Sequence, residues 1–574
     1  MRRAWLLALA AAAALALPAA AWAHAALLHT VPSASGTVNT PPAQVSLTYS
    51  EPVEPRFAIV SVTDAQGDQM TAGAPARSPQ SAQTLVTPLR RNLPEGWYLV
   101  FWRVISADGH PVRGAFTFAV GPNPGPPPQF RVPSLSETAV TTQLLAGRWI
   151  VFISMMSAIG LFVLRAVIAR PAVRAVRGVS LRPVTLAFGV ALLIALVATP
   201  IYVLLATAQF SLRSVFDLGD ILPVARASSF GKDYLDLELV LALFAVAAGI
   251  ALAVDRPDRP QRSVVELLAL PAALAAAAAA LVLPGLAGHA GQKSPRGLSL
   301  PLDAVHLAAG SIWLGGLIGL VVLWIAVGPQ RRVPSLAVVV PRFSNVAFVS
   351  VLVLIGTGTG QALLQLPTLA TLWDTSYGQT LIVKICLLAA AMLLAAVNLA
   401  RNKPRLQHAA AQPSLAGGAA TLLRRLVQGE IVLVAGAVFG AVVLTSLPPP
   451  STALARVQNV AARVGPGPVS KEIAKGPYRV RVKVSPNRAA LPNDFSLALT
   501  RNGQPVRGAQ VVTKFDMLDM EMGEQSYRFR EVRPGVFSKS APALVMVGHW
   551  GLVFEVTPPG GKPFVVTLVD RASG

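Results

Sequence analysis

One cysteine, Cys386, occurs in 574 residues, so no internal disulfide can form and no CxxC metal or redox pair exists. Charge is also scarce. Asp, Glu, Lys and Arg together make up 13% of the chain, against about 25% in soluble domains. That excludes a disordered chain or a string of ordinary soluble domains. No phosphate-cradling GxxxxGK[ST] loop and no GxGxxG fingerprint is present, so an ATP-driven pump or a dinucleotide enzyme has no motif to stand on. No fixed-period repeat is visible. Histidine is limited to seven residues. What is abundant is apolar: 53% of residues are hydrophobic and the mean hydropathy is +0.55. The composition describes a polytopic membrane protein with soluble appendages.

Arg2 and Arg3 precede an apolar run from Trp5 to about Ala20, followed by Ala21-Trp22-Ala23. This is the layout of a secretory signal peptide over 1–23, with an uncleaved anchor as the alternative. Cleavage after Ala23 would make His24 the first residue. Its α-amine, with a pKa of about 7.7–8.0, and its imidazole can then chelate one metal ion together. Residues 24–121 alternate short β-rich runs, Gln44–Tyr49, Ala58–Thr63, Gln83–Pro88, Trp97–Val104 and Gly114–Val120, with turn formers such as Asp64-Ala65-Gln66-Gly67. They predict an Ig-like β-sandwich. A Pro/Gly-rich linker follows over 122–140.

Eight apolar runs long enough to span a bilayer fill 141–447: 143–164, 183–208, 235–254, 264–287, 301–327, 344–365, 379–400 and 427–447. With the sandwich outside, the odd-numbered gaps face the cytoplasm. They hold Arg165, Arg170, Arg174, Arg177 and Arg182, then Arg256, Arg259 and Arg262, then Arg331, Arg332 and Arg342, then Arg401, Lys403, Arg405, Arg424 and Arg425. The outer gaps hold only Arg213, Arg226, Lys232, Lys293 and Arg296. Sixteen basic residues inside against five outside follow the positive-inside rule, and the net charge of +22 needs no nucleic acid partner. An even number of spans returns the C-terminus to the outer side. After a linker at 448–469, residues 470–574 carry strand-like runs again (Tyr478–Val484, Phe495–Thr500, Gln510–Phe515, Tyr527–Glu531, Gly551–Thr557) and predict a second small β-sandwich.

Three constellations could carry chemistry. Asp108 and His110, two apart, share a face of an extended segment. With His24 they supply nitrogen and oxygen donors suited to a square-planar Cu(II) site; alone, Asp108-Gly109 reads as an ordinary turn and His110 as a hydrogen-bonded surface histidine. In the membrane, His289 closes the fourth span, and Asp303 and His306, three apart on one helical face, open the fifth. Ionisable groups at such depth are costly and mark function, or they are interfacial contacts. In the tail, Met517, Met520 and Met522, with Met546 and His549, gather thioethers suited to Cu(I), or serve a sandwich core. Weaker soft groups are Met155, Met156, Cys386 and Met392. Lys384 and Glu430, also within spans, could pair with each other or with Asp303.

His24-Ala25-Ala26-Leu27-Leu28, Pro32-Ser33-Ala34-Ser35-Gly36, Tyr49-Ser50-Glu51-Pro52-Val53-Glu54 and Ser106-Ala107-Asp108-Gly109-His110-Pro111-Val112 resemble the periplasmic copper-binding CopC domain. The resemblance implies Cu(II) ligation by His24, Asp108 and His110, with Glu51 near the site. Where some members carry a Met-rich Cu(I) loop, 68–83 holds only Met70. Gly288-His289-Ala290, Trp313-Leu314-Gly315-Gly316, Arg342-Phe343-Ser344, Thr357-Gly358, Ser376-Tyr377-Gly378-Gln379, Lys384, Asn398 and Glu430 resemble the CopD membrane domain, implying a copper path near His289 and His306. Met546-Val547-Gly548-His549-Trp550-Gly551-Leu552 is similar to the small YtkA/FixH-type β-domain. Together these resemblances imply a copper transporter of the bacterial inner membrane. It would be an importer contributing to copper homeostasis, with both β-domains periplasmic and no enzymatic activity. Its partners would be copper ions, lipid and periplasmic copper chaperones. Passage as Cu(I) would require a reductant that the chain does not reveal. Periplasmic sequestration or sensing, and a copper or haem oxidoreductase, are the alternative readings.

Overall fold

The structure, a computed structural model, describes residues 25–573 except 26, 35, 50, 106–110, 126–127, 129, 131–140, 287–295, 367, 370, 409–412, 448–459, 490–491, 519–524 and 546–547; at 111, 227, 229, 296, 374 and 413–416 it describes the backbone. The chain divides into two compact units, one of apolar helices and one holding both β-domains.

The N-terminal domain has eight strands: β1 (Leu27–Val31), β2 (Thr37–Val38), β3 (Gln44–Tyr49), β4 (Ile59–Thr63), β5 (Ala76–Ser78), β6 (Ser81–Pro88), β7 (Gly96–Ile105) and β8 (Pro111–Val120). They form two sheets, β1-β3-β6-β5 and β2-β8-β7-β4. Period-two patterning decides what each sheet buries. In β3, Val45, Leu47 and Tyr49 are fully buried while Gln44, Ser46 and Thr48 point away. They meet Val100, Trp102 and Phe116 of the facing sheet in one core, which makes the domain a sandwich. Tyr49 and Trp102 pack edge to face at 5.6 Å. Trp102 lies opposite Gly114 on β8, where any β-carbon would fall 2.7 Å from the indole. Leu99 and Phe101 face the other way and form a second small cluster with Ala115 and Phe130. The expected Asp64–Gly67 turn is present: the Asp64 carboxylate accepts from the Gln66 and Asp68 amides, and Gly67 takes φ 93°.

The C-terminal domain has eleven strands: β9 (Ala462–Val464), β10 (Val469–Lys475), β11 (Tyr478–Ser485), β12 (Asn493–Arg501), β13 (Gln504–Pro505), β14 (Gln510–Met517), β15 (Gln525–Arg528), β16 (Arg530–Arg533), β17 (Val536–Ala541), β18 (Gly548–Thr557) and β19 (Phe564–Ala572). One sheet runs β10-β11-β12-β17-β16, with β13 on β12, and the other β15-β14-β18-β19-β9. In β11, Val480, Val482 and Val484 are buried and Arg479, Arg481 and Lys483 face outward. The single strand expected over Tyr527–Glu531 is two strands in different sheets. The chain crosses between them at Phe529, which is buried in the shared core and donates its amide to Val511 O.

The helical unit contains eight helices long and apolar enough to cross a membrane: α1 (Thr142–Ile168), α2 (Arg182–Phe210), α3 (Phe230–Val254), α4 (Val264–Leu286), α5 (Gly297–Ala326), α6 (Pro329–Gln365), α7 (Ser376–Gln407) and α8 (Gly417–Leu444). Most α-helical turns persist, but α1 ends in a π-helical turn at Leu164–Ile168 and α7 carries one at Asn398–Asn402. Helices α1 and α5 are the most enclosed, with 72% and 67% of their apolar windows buried, against 6% for α7. Gly160 and Gly315 let these two backbones touch; a side chain at Gly160 would overlap the Ser311 carbonyl. α6 starts well before the expected 344. Its first half carries Arg331, Arg332, Pro334 and Pro341, which interrupt the apolar run without stopping the helix.

The basic gaps converge at one end of this bundle. Arg165 and Arg170 both bind Asp255, at 2.6 and 2.9 Å, and Arg262 binds Glu266 at 2.8 Å. Arg331 donates to Gly178 O, and Arg332 and Arg424 stack on Trp324. At the other end Arg148 donates to the Tyr202 hydroxyl and to Thr445.

Candidate metal centre in the helical bundle

Asp303 and His306 lie in the first half of α5, three residues apart and therefore on one face. The neighbouring α6 presents Thr357 and Gln361, four apart, to that face. Gln361 Nε2 donates to Asp303 Oδ1 at 3.0 Å, and His306 Nδ1 lies 2.9 Å from Thr357 Oγ1. The Thr357 hydroxyl already donates to Val353 O at 2.6 Å. Its lone pairs are what remain for His306, so Nδ1 carries the hydrogen and donates. The Nε2 lone pair is then free to bind a metal, the arrangement metal-binding histidines use. Close approach depends on two glycines. A β-carbon at Gly358 would meet His306 Cε1 at 3.3 Å, and one at Gly285, near the end of α4, would fall 2.8 Å from Asp303 Oδ2.

Helix α7 completes the cluster. Lys384 acts electrostatically on both Asp303 and His306, and Tyr377, in its first turn and nearly buried, acts on Asp303. One carboxylate, one imidazole, an amide, two hydroxyls and an ammonium group thus form one polar cluster inside the bundle. Sequence reasoning located Asp303, His306 and Lys384. It gave Thr357 and Tyr377 no role and did not single out Gln361, although polar residues four apart in an apolar helix were a readable signal.

The same face of α5 continues inward. Gly310, one turn beyond His306, is covered by the Met156 methyl of α1, and Trp313 follows three residues later. Met155 and Met156 are both buried. The pairing of Lys384 with Glu430 does not form. Lys384 faces Asp303, whereas Glu430 of α8 accepts from Asn398 Nδ2 at 2.6 Å. They lie at different depths, so each helix spends its ionisable group on a separate cluster. Cys386, exposed on the bundle surface, and Met392 both lie on α7.

The other sequence candidates divide sharply. His24, Asp108, His110, His289, Met520, Met522 and Met546 lie outside the described residues. Ala25, next to His24, is buried in the N-terminal sandwich core, and the segment carrying Asp108 and His110 joins β7 to β8. Glu51 follows β3 directly and is held by an interaction of its own. Met517, at the end of β14, is packed in the C-terminal core beside Trp550. His549 on β18 pairs across to Arg571. Near it the fully buried Asp570 accepts from Asn487 Nδ2 at 2.9 Å, and burial pushes its carboxyl up to about 6, against the opposing pull of Asn487. Neither Asp570 nor Asn487 stood out in the sequence. Among the described residues no three His, Cys, Asp or Glu side chains converge as a metal cluster.

Comparison with known proteins supplies the lineage. The CopC domain family matches residues 27–121, the copper resistance protein D-like N-terminal domain matches 139–298, and copper resistance protein D matches 337–444. Copper transport protein CutJ of Bacillus subtilis (strain 168) is 27% identical over 552 residues, 93% of each chain. Copper resistance protein C of Xanthomonas campestris pv. juglandis is 36% identical over 108 residues, 18% of this chain and 84% of its own length. The crystal structure of CopC from Methylosinus trichosporium OB3b covers 18% of this chain and 99% of its own, at 30% identity and a TM-score of 0.17. The homologues of both modules are thus copper transport and copper resistance proteins. With its β-domain in the CopC family and its membrane helices matching copper resistance protein D on both sides of α5, the chain is a CopC–CopD fusion.

Proposed function

We propose that this fusion captures Cu(II) outside the cell membrane and carries copper inward through the helical bundle. His24, with its free α-amine, and the Asp108/His110 pair are the capture ligands, and Glu51 supports them. The bundle receives copper at His306 and Asp303, with His289 on the approach. The basic gaps face the cytoplasm, which sets both β-domains on the periplasmic side. With Met517 taken by the core, Met520, Met522, Met546 and His549 form the candidate Cu(I) relay of the C-terminal domain. The observation that carries this reading is the His306–Thr357 hydrogen bond, which presents a free Nε2 beside a carboxylate inside an apolar bundle. Met156 on the next turn of the same face offers a soft thioether for onward passage.

The test is cytoplasmic copper in a strain lacking the chain, complemented by wild type or by His306→Ala. Wild type raises cytoplasmic copper and His306→Ala fails to. Equal cytoplasmic copper with and without the chain, at altered copper tolerance, would leave sequestration instead. For capture, one residue added before His24 blocks the α-amine chelate. Cu(II) affinity should fall sharply and the EPR spectrum change, and an unchanged spectrum removes His24 from the site.

A further inference from the structure

Deeper in the bundle lies a polar cluster that copper ligation does not use. Glu430 of α8 is 2% exposed and accepts from Asn398 Nδ2 at 2.6 Å; Asn398 Oδ1 in turn accepts from Asn402 Nδ2 at 2.7 Å. Both asparagines belong to the π-helical turn of α7. A π turn inside a long helix is uncommon and is found mostly at functional sites. Asn402 is fully buried, yet its Oδ1 has no hydrogen-bond partner. An unfilled buried acceptor is costly, so the ladder ends in an atom prepared for a further donor.

The charge of Glu430 also lacks compensation. Its hydrogen-bond partner is Asn398 from α7, and the buried indole of Trp313 from α5, whose Nε1 has no hydrogen-bond partner among the described residues, lies close enough to act on it; no charged side chain of α1, α5, α6 or α7 does so among the described residues. On α7, Lys384 is engaged with Asp303 and Lys403 donates to Asn345 Oδ1. An uncompensated carboxylate in an apolar bundle is expensive. A proton cancels its charge without needing space. Trp313 lies on the same face of α5 as His306, seven residues on. At 1.5 Å per residue that is about 10 Å along the helix.

We propose that Glu430 is the proton-exchange site of the membrane domain, held by the Asn398–Asn402 ladder and linked to His306 through α5. This rests on copper passage through the bundle. The step balances for copper entering as Cu(I), after an external one-electron donor has reduced the captured Cu(II): as that single positive charge enters at His306, the Glu430 carboxyl becomes a carboxylate and its proton leaves past Asn402 toward the cytoplasm. The bundle's net charge is unchanged. When copper leaves toward the cytoplasm, Glu430 takes its next proton from the outer side, so each cycle carries one proton inward with the copper and a proton gradient can supply the driving force that the missing nucleotide motif cannot.

Infrared difference spectroscopy on the purified full chain tests this. In the first arm pH alone is changed, without copper. Wild type should show a protonated-carboxyl C=O band that rises and falls with pH, that Glu430→Gln lacks and that Glu430→Asp shifts. A band equal in wild type and Glu430→Gln, with both proteins giving the same thermal unfolding, overturns the proposal. In the second arm copper is added at constant pH and bound copper is counted on the same sample. Loss of the Glu430 band on copper binding supports coupling, and an unchanged band at full copper occupancy overturns it. A bundle that takes up no copper refutes the transport reading instead, and the pH arm still decides whether Glu430 exchanges a proton.

Discussion

Replacing Thr357 by valine keeps the shape of the side chain and removes one hydroxyl. That hydroxyl donates to Val353 O and accepts from His306 Nδ1 at 2.9 Å. Hydrogen bonds between membrane helices contribute on average about 0.6 and at most about 1.7 kcal/mol. Leaving the imidazole N–H buried without a partner moves the cost toward the upper end. A loss of about 1–1.4 kcal/mol corresponds to about a five- to tenfold change in an equilibrium or rate. The loss falls on the orientation and tautomer of His306, so it should appear as a five- to tenfold slower copper uptake at subsaturating copper, with chain abundance unchanged. Thr357→Ser preserves both hydrogen bonds and should stay within about twofold of wild type. The assay is the initial rate of radiocopper uptake into cells, normalised to membrane-inserted chain. Uptake by Thr357→Val within twofold of wild type, or Thr357→Ser falling as far as valine, would refute the role assigned to the hydroxyl.

Two further outcomes concern buried carboxylates away from α5. Burial raises the Asp570 carboxyl from 3.8 to about 6. The folded state therefore holds this proton more tightly than the unfolded chain does. Its contribution is fully present below about pH 4 and lost as pH rises through about 6, a change of about 3 kcal/mol. Exchange protection of β18 and β19, corrected for intrinsic rates, should weaken over that window in wild type and stay flat in Asp570→Asn; identical profiles would show that Asp570 does not govern it. Asp255→Asn removes the shared partner of Arg165 and Arg170, all three nearly fully buried. It should cost about 3–5 kcal/mol. Asp220→Asn breaks only the exposed pair with Arg213 and should cost under about 1 kcal/mol. Thermal unfolding in detergent separates the two, and equal midpoints would contradict the assignment of Asp255 as a buried anchor.

Much of the architecture was readable because burial imposes a period. Val45, Leu47 and Tyr49, or Val480, Val482 and Val484, alternate with polar residues and could belong only to strands with one buried face. The eight apolar runs were equally plain, and their ends moved most where polar turns extend a helix beyond its apolar stretch, as at the start of α6. Tyr527–Glu531 misled because alternation shows which face is buried and is silent on which sheet the strand joins. Asp303 and His306 were visible by their rarity. Gln361 was readable only as half of a polar pair four apart with Thr357; that this pair faces Asp303 and His306 is decided by packing.

The sequence by itself determined the order of modules, the number of spans and the side on which the basic gaps gather, since these depend on local hydropathy and on charge counted along the chain. It also narrowed the candidate copper ligands to a few rare side chains. The tertiary structure alone decided their pairing. Lys384 and Glu430 are ionisable residues on neighbouring helices, and nothing along the chain says that one faces Asp303 and the other an asparagine ladder. That choice is set by the depth and rotation of packed helices. In an apolar bundle each polar group must find its partner among whatever side chains packing brings within reach.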